Sequence, residues 1–418
     1  MSLVPLEHSD AASRLAGVRL CSASWDELHG WREDDHHAAL VTLGRTASHV
    51  ATNGPHKTGA LGISGEAMVP ILARSFGTLD RLKTTERRSD RQVEARRFFE
   101  QEFTPYRIAR VEGGTDTGSA CGLGGPDGEG FVTGFYEPFL QASRTANDEY
   151  RFPIHGPPPD LVKVGTHENG PHGYDWAIRD GNGALLEVPD RAAIESATIG
   201  TNAPVALFAD WPVIAWARDR VDLFFAHVQG AARLTFPDGS TERITFAAKS
   251  GHPFTGIGGE LVRMGELPPD GVSMDTIRAW LARHPARVEA LLQRNRSYIF
   301  FRTACVNDPS LGPVAAARVP LAPNRSLAVD RLLHTFGTPI HVHASDLADP
   351  DAGSEFARLM IAQETGTAIR GAARGDIFTG SGAAAGRIAG RIANAARFTV
   401  LVPQRLEVKG SKVLRPEG

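Results

Sequence analysis

Cysteine is scarce in this 418-residue chain: Cys21, Cys121 and Cys305 are all there is. Three thiols so widely spaced exclude a disulfide scaffold and a CxxC metal knuckle, and allow one bridge at most. Charge of one sign is lacking too, since 45 Lys and Arg against 48 Asp and Glu leave a formal net charge of −3. With no global basic field to hold a phosphate backbone or an anionic membrane, nucleic acid is not an expected partner. No apolar run approaches the ~18 residues of a spanning helix; the best stretch, 204–217, is broken by Asp210 and Pro212. No transmembrane segment is therefore expected. Glu7, His8, Asp10 and Arg14 stand where a secretory signal would carry its apolar region, so the expectation is a cytoplasmic protein or one whose leader has been removed. Familiar catalytic signatures are missing as well. No Gly-x-Ser-x-Gly elbow, His-Glu-x-x-His or phosphate loop occurs, which leaves serine hydrolase, zincin and kinase readings without support.

What is abundant is turn chemistry. Gly (44) and Pro (27) make up about 17% of the chain, above the usual ~12%, which suggests a turn-rich, β-heavy fold. The length fits two or three domains. Ala39, Leu40, Leu43, Ala47 and Val50 recur at helical spacing behind the acidic Glu33, Asp34 and Asp35, predicting a helix within 31–50. A second helix is expected from Ser89, with a capping box to Gln92, to Phe103 before Pro105. Residues 113–130 read as a glycine-rich loop. Beyond it 131–136, 223–228, 233–236 and 243–247 read as strands, with a turn at Pro237-Asp238-Gly239. Proline-rich 152–159 suits a sheet edge or a linker. Ser273 can cap a helix to Arg283, and Pro285 can open another to Gln293. Strands are expected at 298–302, 326–330, 339–343, 359–363 and 398–402, with a helix over 383–395.

Two acids, Glu364 and Asp376, lie among glycines that permit close backbone approach to a ligand, and Asp376 is followed by apolar Ile377 and Phe378. A carboxyl group in a partly apolar setting can keep its proton near neutral pH and act as an acid; the plainer reading is a turn-forming Asp ahead of a strand. Gly380-x-Gly382-x-x-x-Gly386 imitates a phosphate-binding glycine loop, but the chain beyond it is too short for the further units of a doubly wound sheet. Gly122 to Gly125 is a weaker imitation. His341 and His343 alternate on one strand face with His334 nearby; a polar outer face is the plainer reading than metal ligation, and no metal or cofactor is expected. Asp34-Asp35-His36-His37 reads as a solvated helix face, and His167 and His172 as surface loop residues.

The stretch from Gly366 to Gly382, with Thr365-Gly366-x-Ala368-Ile369-Arg370-Gly371, Arg374-Gly375-Asp376-Ile377-Phe378 and Gly380-Ser381-Gly382, closely resembles the three-Asp domain of the membrane-bound lytic murein transglycosylase A family. Further landmarks follow in that family's order: Thr133-Gly134-Phe135-Tyr136-Glu137-Pro138, Pro158-Pro159-Asp160-Leu161-Val162, Val221-Asp222-Leu223-Phe224-Phe225 with Gln229-Gly230, Gly265-Glu266-Leu267-Pro268, Ser297-Tyr298-Ile299-Phe300-Phe301, and Ser326-Leu327-Ala328-Val329-Asp330. They span roughly two-thirds of the chain, from Phe131 to Pro403.

The resemblance implies a mainly β protein with flanking helices. A double-psi β-barrel would form from residues 1–138 and 305–418, and a second β-domain would be inserted at 139–304, with a glycan groove between them. It implies non-hydrolytic cleavage of the β-1,4 bond between N-acetylmuramic acid and N-acetylglucosamine in peptidoglycan, giving 1,6-anhydromuramoyl ends. Asp376 matches the catalytic Asp, while Asp330 and Glu364 match the other two acidic positions. Thr133, Tyr136, Glu137, Gln229 and Lys249 are candidates for lining the groove, with Tyr136 as an aromatic platform; for each, and for Asp330 more strongly, a purely structural role is the competing reading. Departures are Glu364 in place of Asp, Ala231 in place of a Ser after Gln229-Gly230, and Arg331 where Pro is common. They leave room for a non-catalytic peptidoglycan-binding module of the same fold. The expected partner is the glycan strand, met by a monomer. Family resemblance implies a periplasmic or outer-membrane-associated protein, although Gly17-Val18-Arg19-Leu20 before Cys21 is not a convincing lipid-attachment box.

Overall fold

The computed structural model describes residues 14–15, 17–110, 130–165, 168–199, 208, 210–350 and 353–404. Most of the glycine-rich 113–130 stretch, with Cys121 and the Gly122 to Gly125 segment, and His167 lie outside them. In chain order, β1 (Val18–Ser22) precedes helices α1 (His36–Asn53), α2 (Gly65–Lys83) and α3 (Arg88–Glu102). Then come β2 (Phe103–Arg110), β3 (Gly130–Glu137), β4 (Phe139–Ser143), β5 (Phe152–His155), β6 (Leu161–Lys163), β7 (Trp176–Arg179) and β8 (Leu185–Leu186). Helix α4 (Arg191–Thr198), β9 (Val213–Ala217), α5 (Arg220–Gln229), β10 (Ala231–Thr235), β11 (Thr241–Lys249), α6 (Ile257–Arg263), α7 (Met274–Arg283), α8 (Val288–Leu292) and β12 (Ile299–Ala304) follow. The chain continues through β13 (Ser326–Val329), β14 (Pro339–Ala348), β15 (Glu355–Glu364), β16 (Arg374–Ser381), α9 (Gly382–Ala389) and β17 (Ala393–Pro403).

Contacts divide the chain into two compact units, one of residues 1–135, 310–380 and 391–418, the other of 136–309 and 381–390. The first is organised by one sheet, β1-β2-β17-β14-β15-β13-β16-β3, and an additional β17–β3 pairing closes six of its strands into a barrel. Closure leaves those strands without free edges. Leu327, Val329, Ile340, Val342, Met360, Ile377, Phe398 and Val400 fill its core, supplied by alternate residues of strands whose other face is also covered. On the opposite face of β15, Leu359 and Ile361 pack with Leu40, Leu43 and Ala47 of α1, Ile71 and Leu72 of α2, and Phe98 and Phe99 of α3. The expected apolar stripe of α1 is thus the stripe it buries. Gly44 lets α2 approach, because a Cβ there would lie 2.5 Å from the Leu79 side chain.

The acidic entry to α1 is not the solvated face its charges suggested. Asp34 and His36 are buried. Both Asp34 oxygens take the Arg325 guanidinium, at 2.7 and 2.9 Å, and one accepts the Leu359 N–H at 2.7 Å. Burial disfavours the Asp34 anion, but Arg325 and the amide outweigh it and hold the carboxyl below its ordinary range. Asp35 is the cap, accepting the Ala38 N–H at 3.1 Å. Ser89 does not cap α3, whose N-cap is Arg87 with no side-chain bond; the Ser89 hydroxyl turns to Asp90 instead. His341 is likewise buried rather than on a polar outer face, and His334 is buried against the Ala372 carbonyl at 2.8 Å.

The second unit holds a six-stranded sheet, β12-β11-β10-β4-β9-β5, and a three-stranded one, β6-β7-β8. β5 is an edge strand, which accommodates Pro153. The β10–β11 hairpin turns at the Pro237-Asp238-Gly239 segment, where Gly239 has φ +81°. One strand expectation fails: 223–228 is helix α5. Asp219 caps it, accepting the Asp222 N–H at 2.8 Å, and Gly230 ends it in the left-handed region at φ +74°. Helix α7 is capped by Ser273 as expected, in a capping box with Thr276. A continuous apolar run does not by itself distinguish helix from strand, and α5 buries Leu223, Phe224, Phe225 and Ala226 in succession. Cys21 and Cys305 are free thiols.

Candidate active site

Asp376 lies within β16, not in a loop ahead of a strand. Its neighbour on β13 is Ala328, and Ala328 is also in register with Glu364 on the other side, on β15. Because directly paired residues share a face, the two acids stand on one face with a single methyl-bearing strand between them, about 10 Å apart at the backbone. Gly375, one residue earlier, faces inward: a Cβ there would sit 3.0 Å from both Leu327 and Phe398. The glycine pattern that suggested a ligand loop therefore serves strand packing at this position.

The half-buried Asp376 carboxyl has a defined set of neighbours. The Thr133 hydroxyl donates to its Oδ1 at 2.6 Å and itself accepts from the Arg374 guanidinium at 2.7 Å. This chain fixes the Thr133 proton on the Asp376 side and leaves Oδ2 as the oxygen able to carry a transferable proton. Burial raises the Asp376 pKa; the Thr133 bond and the Arg374 charge pull against it without cancelling it. Arg374 was not among the residues anticipated. Its signal was the Arg-x-Asp spacing within one strand, which puts both side chains on one face.

Glu364 is committed to the loop before β13. The Ala316 N–H lies 3.2 Å from each of its oxygens, and the Thr365 N–H donates at 2.8 Å. Burial pushes this carboxyl up to about 7, against those two amide bonds. The same loop is tied to β15 by the Ala317 N–H on the Gln363 carbonyl at 2.9 Å and holds Arg318 at φ +63°. Gly312 in it gives way to Phe378, whose ring would lie 2.2 Å from a Cβ. Asp330, for which a structural role was the stronger reading, is a buried tether. It is 2% exposed and accepts from Arg14 at 2.8 Å, the Gly371 N–H at 2.8 Å and the Leu332 N–H at 3.1 Å.

In the second unit the anticipated set behaves differently. Tyr136 is 6% exposed and packs on Ala385 and Ala389, with a Gly386 Cβ position 2.8 Å from its ring. A sugar platform needs an open ring face, and this one is closed within its own unit. Glu137 is fully buried; its Oε2 accepts from Ser381 at 2.6 Å and Arg233 at 3.0 Å, and Arg243 lies 3.3 Å from Oε1. Gln229 caps the Tyr136 N–H at 3.1 Å, and Lys249 is half-buried at the end of β11, paired with Ile299. Ala231, where a hydroxyl was missed, is buried in β10. Sequence reasoning overlooked Phe139, about half exposed, with the Arg233 guanidinium 5.1 Å from its ring centre; an open aromatic two residues after Glu137 was the available sign.

A family model described as the MltA specific insert domain matches residues 131–302, and one described as the 3D domain matches 325–402. The membrane-bound lytic murein transglycosylase A of Escherichia coli strain K12 is 32% identical over 284 residues, covering 66% of this chain and 67% of that one. A membrane-bound lytic murein transglycosylase from Agrobacterium tumefaciens has a crystal structure that superposes with a TM-score of 0.77 at 44% identity, over 92% of this chain and 98% of that chain. The MltA structure from Neisseria gonorrhoeae in its monoclinic form gives a TM-score of 0.70 at 28% identity, covering 94% of each chain. Matched over most of its length in sequence and fold, the chain belongs to the membrane-bound lytic murein transglycosylase A family.

Proposed function

We propose that this enzyme cleaves the β-1,4 bond between N-acetylmuramic acid and N-acetylglucosamine in peptidoglycan without water, with Asp376 as acid and then base. The observation that carries the reading is the Asp376 carboxyl: raised in pKa by burial, oriented through Oδ1 by Thr133, with Oδ2 left to donate. In the first step Oδ2 gives its proton to the glycosidic oxygen as the bond to C1 of the muramoyl unit breaks. The positive charge developing at C1 lies near the newly formed carboxylate, which Thr133 and, through it, Arg374 stabilise. In the second step the C6 hydroxyl of the same sugar attacks C1, and its proton passes to Asp376, closing the 1,6-anhydro ring and restoring the acid.

Glycosidases pair two carboxylates because one must activate water or attack carbon. An internal hydroxyl removes that need. Supporting this, the neighbouring Glu364 is already occupied by the Ala316 and Thr365 amides and stands one full strand away. Among the described residues no helix is long and apolar enough to cross a membrane; an envelope location is proposed from the relatives' membrane-bound name.

Murein sacculi incubated with the protein should release anhydromuropeptides, identified by mass spectrometry. Asp376→Asn should lower the rate by about 10²- to 10⁴-fold, the usual contribution of one positioned acid–base group. Products with free reducing ends would mean hydrolysis and sink the mechanism. Sacculus binding without any product would point to a binding module instead.

A further inference from the structure

The barrel unit carries a second cluster of chemistry-bearing side chains, on β14, β15 and the β1–α1 connection. His343 Nε2 lies 3.0 Å from Glu355 Oε2, and His29 Nε2 lies 3.2 Å from the same oxygen. The two imidazoles stack, with centroids 4.4 Å apart and planes at 24°. Among the described residues this is the grouping of three His, Cys, Asp or Glu donors whose ligand atoms all fall within 4.8 Å of one another.

The cluster is built rather than an accident of long side chains. His343 is fixed in the sheet, between Ala357 of β15 and Arg397 of β17. The loop bearing His29 is held over that strand pair at two points. Gly30, at φ +66°, rests on Ala357, where a Cβ would come within 2.8 Å of the alanine methyl. The buried His341 imidazole, two residues before His343, makes a hydrogen bond to the His29 backbone. His29 is thereby set above His343, while its own ring stays exposed.

We propose that His29, His343 and Glu355 form a binding site for a divalent first-row transition ion of the zinc type. Two imidazole nitrogens and one carboxylate oxygen are donors such ions prefer, and water would complete four-coordination. Donors about 2.1 Å from a tetrahedral ion lie about 3.4 Å from one another, close to the 3.0 and 3.2 Å separations here. The rings converge by only 24°, so ligation turns the exposed His29 ring about its Cβ–Cγ bond while His343 stays seated. The ion replaces the hydrogen bonds that Glu355 now accepts, and the exposed Arg397 beside His343 moderates its affinity. Bound there, it clasps the β1–α1 connection to the β14–β15 hairpin. The proposal is independent of the cleavage chemistry, since Asp376 and Glu364 take no part in it.

The test uses chelator-treated full-length protein titrated with zinc chloride by calorimetry, with melting temperature followed in parallel. One equivalent should bind, and at 100-fold excess over the dissociation constant the melting temperature should rise by about 5 °C or more. His29→Ala and Glu355→Gln, both at exposed positions, should each weaken binding at least ~10-fold and cut the shift at the same zinc concentration to about half or less. Absence of heat and of any shift at millimolar zinc overturns the proposal, as does binding that survives unchanged in the His29→Ala, Glu355→Gln double variant.

Discussion

Thr133 is the residue on which the behaviour of Asp376 turns. Its hydroxyl donates to the charged form of the acid, and so lowers a pKa that burial raises. Thr133→Val keeps the volume and removes that bond, so the Asp376 pKa moves further up. The alkaline limb of the pH–rate profile on sacculi should shift to higher pH, while the plateau rate falls by about 10- to 100-fold, as expected for losing a hydrogen bond to an ionised group. An unshifted limb would show that Thr133 does not touch the acid in solution. At this scale the sequence was informative where one motif sufficed: Asp376 and Thr133 could both be singled out, and the structure joins them by a hydrogen bond. Asp330, Tyr136 and Glu137 could not be placed, because polarity says nothing about burial, and their partners, Arg14, Gly386, Ser381 and Arg233, lie far away in the chain.

At the scale of elements, the Asp34 and Arg325 pair decides how α1 enters. One side chain precedes the helix and the other precedes β13, and Asp34 also holds the β15 backbone at Leu359. Removing one member leaves a buried guanidinium without its counter-charge. Asp34→Asn should cost about 3–5 kcal/mol, read as a lower midpoint in urea with an unchanged slope; a loss under 1 kcal/mol would mean water reaches the pair. The stripe of α1 was legible because its period is local. The pairing was not, since the two residues are 291 positions apart. Helix α5 and strand β16 were misread for opposite reasons. In α5 the caps, Asp219 and Gly230, carried more information than the apolar run between them. In β16 the glycines imitated a loop, although Gly375 is small so that Leu327 and Phe398 can pack.

For the whole molecule, buried imidazoles set the response to acid. Burial lowers both His341, in the barrel unit, and His155, in the other, to about 4 from an ordinary 6.5. The unfolded chain therefore takes up these protons first as pH falls, and stability is lost from pH 6.5 down to about 4 and is fully present above 6.5. Each site is worth up to about 3 kcal/mol across that window. Glu364 works the other way: its pKa is raised to about 7, so it favours the folded state at low pH and loses that contribution as pH rises from 4.5 to 7. Two histidines outweigh one acid, and the urea midpoint at pH 4.5 should lie well below that at pH 7. Replacing His341 and His155 by Leu should narrow the difference without removing it, since burial also lowers His56 and His227; an undiminished slope would assign acid lability elsewhere.

Closure of the barrel through β3 and β17 bears on time as well as on shape. The strand of Asp376 is flanked on one side by β13 and on the other by β3, the strand that supplies Thr133. Neither neighbour can fray away from an edge, because the ring has none. The backbone positions that carry the acid and its orienting hydroxyl therefore keep their spacing on timescales shorter than opening of the barrel itself. Under the proposed mechanism, no strand need move to bring Asp376 beside Thr133 before the glycan arrives.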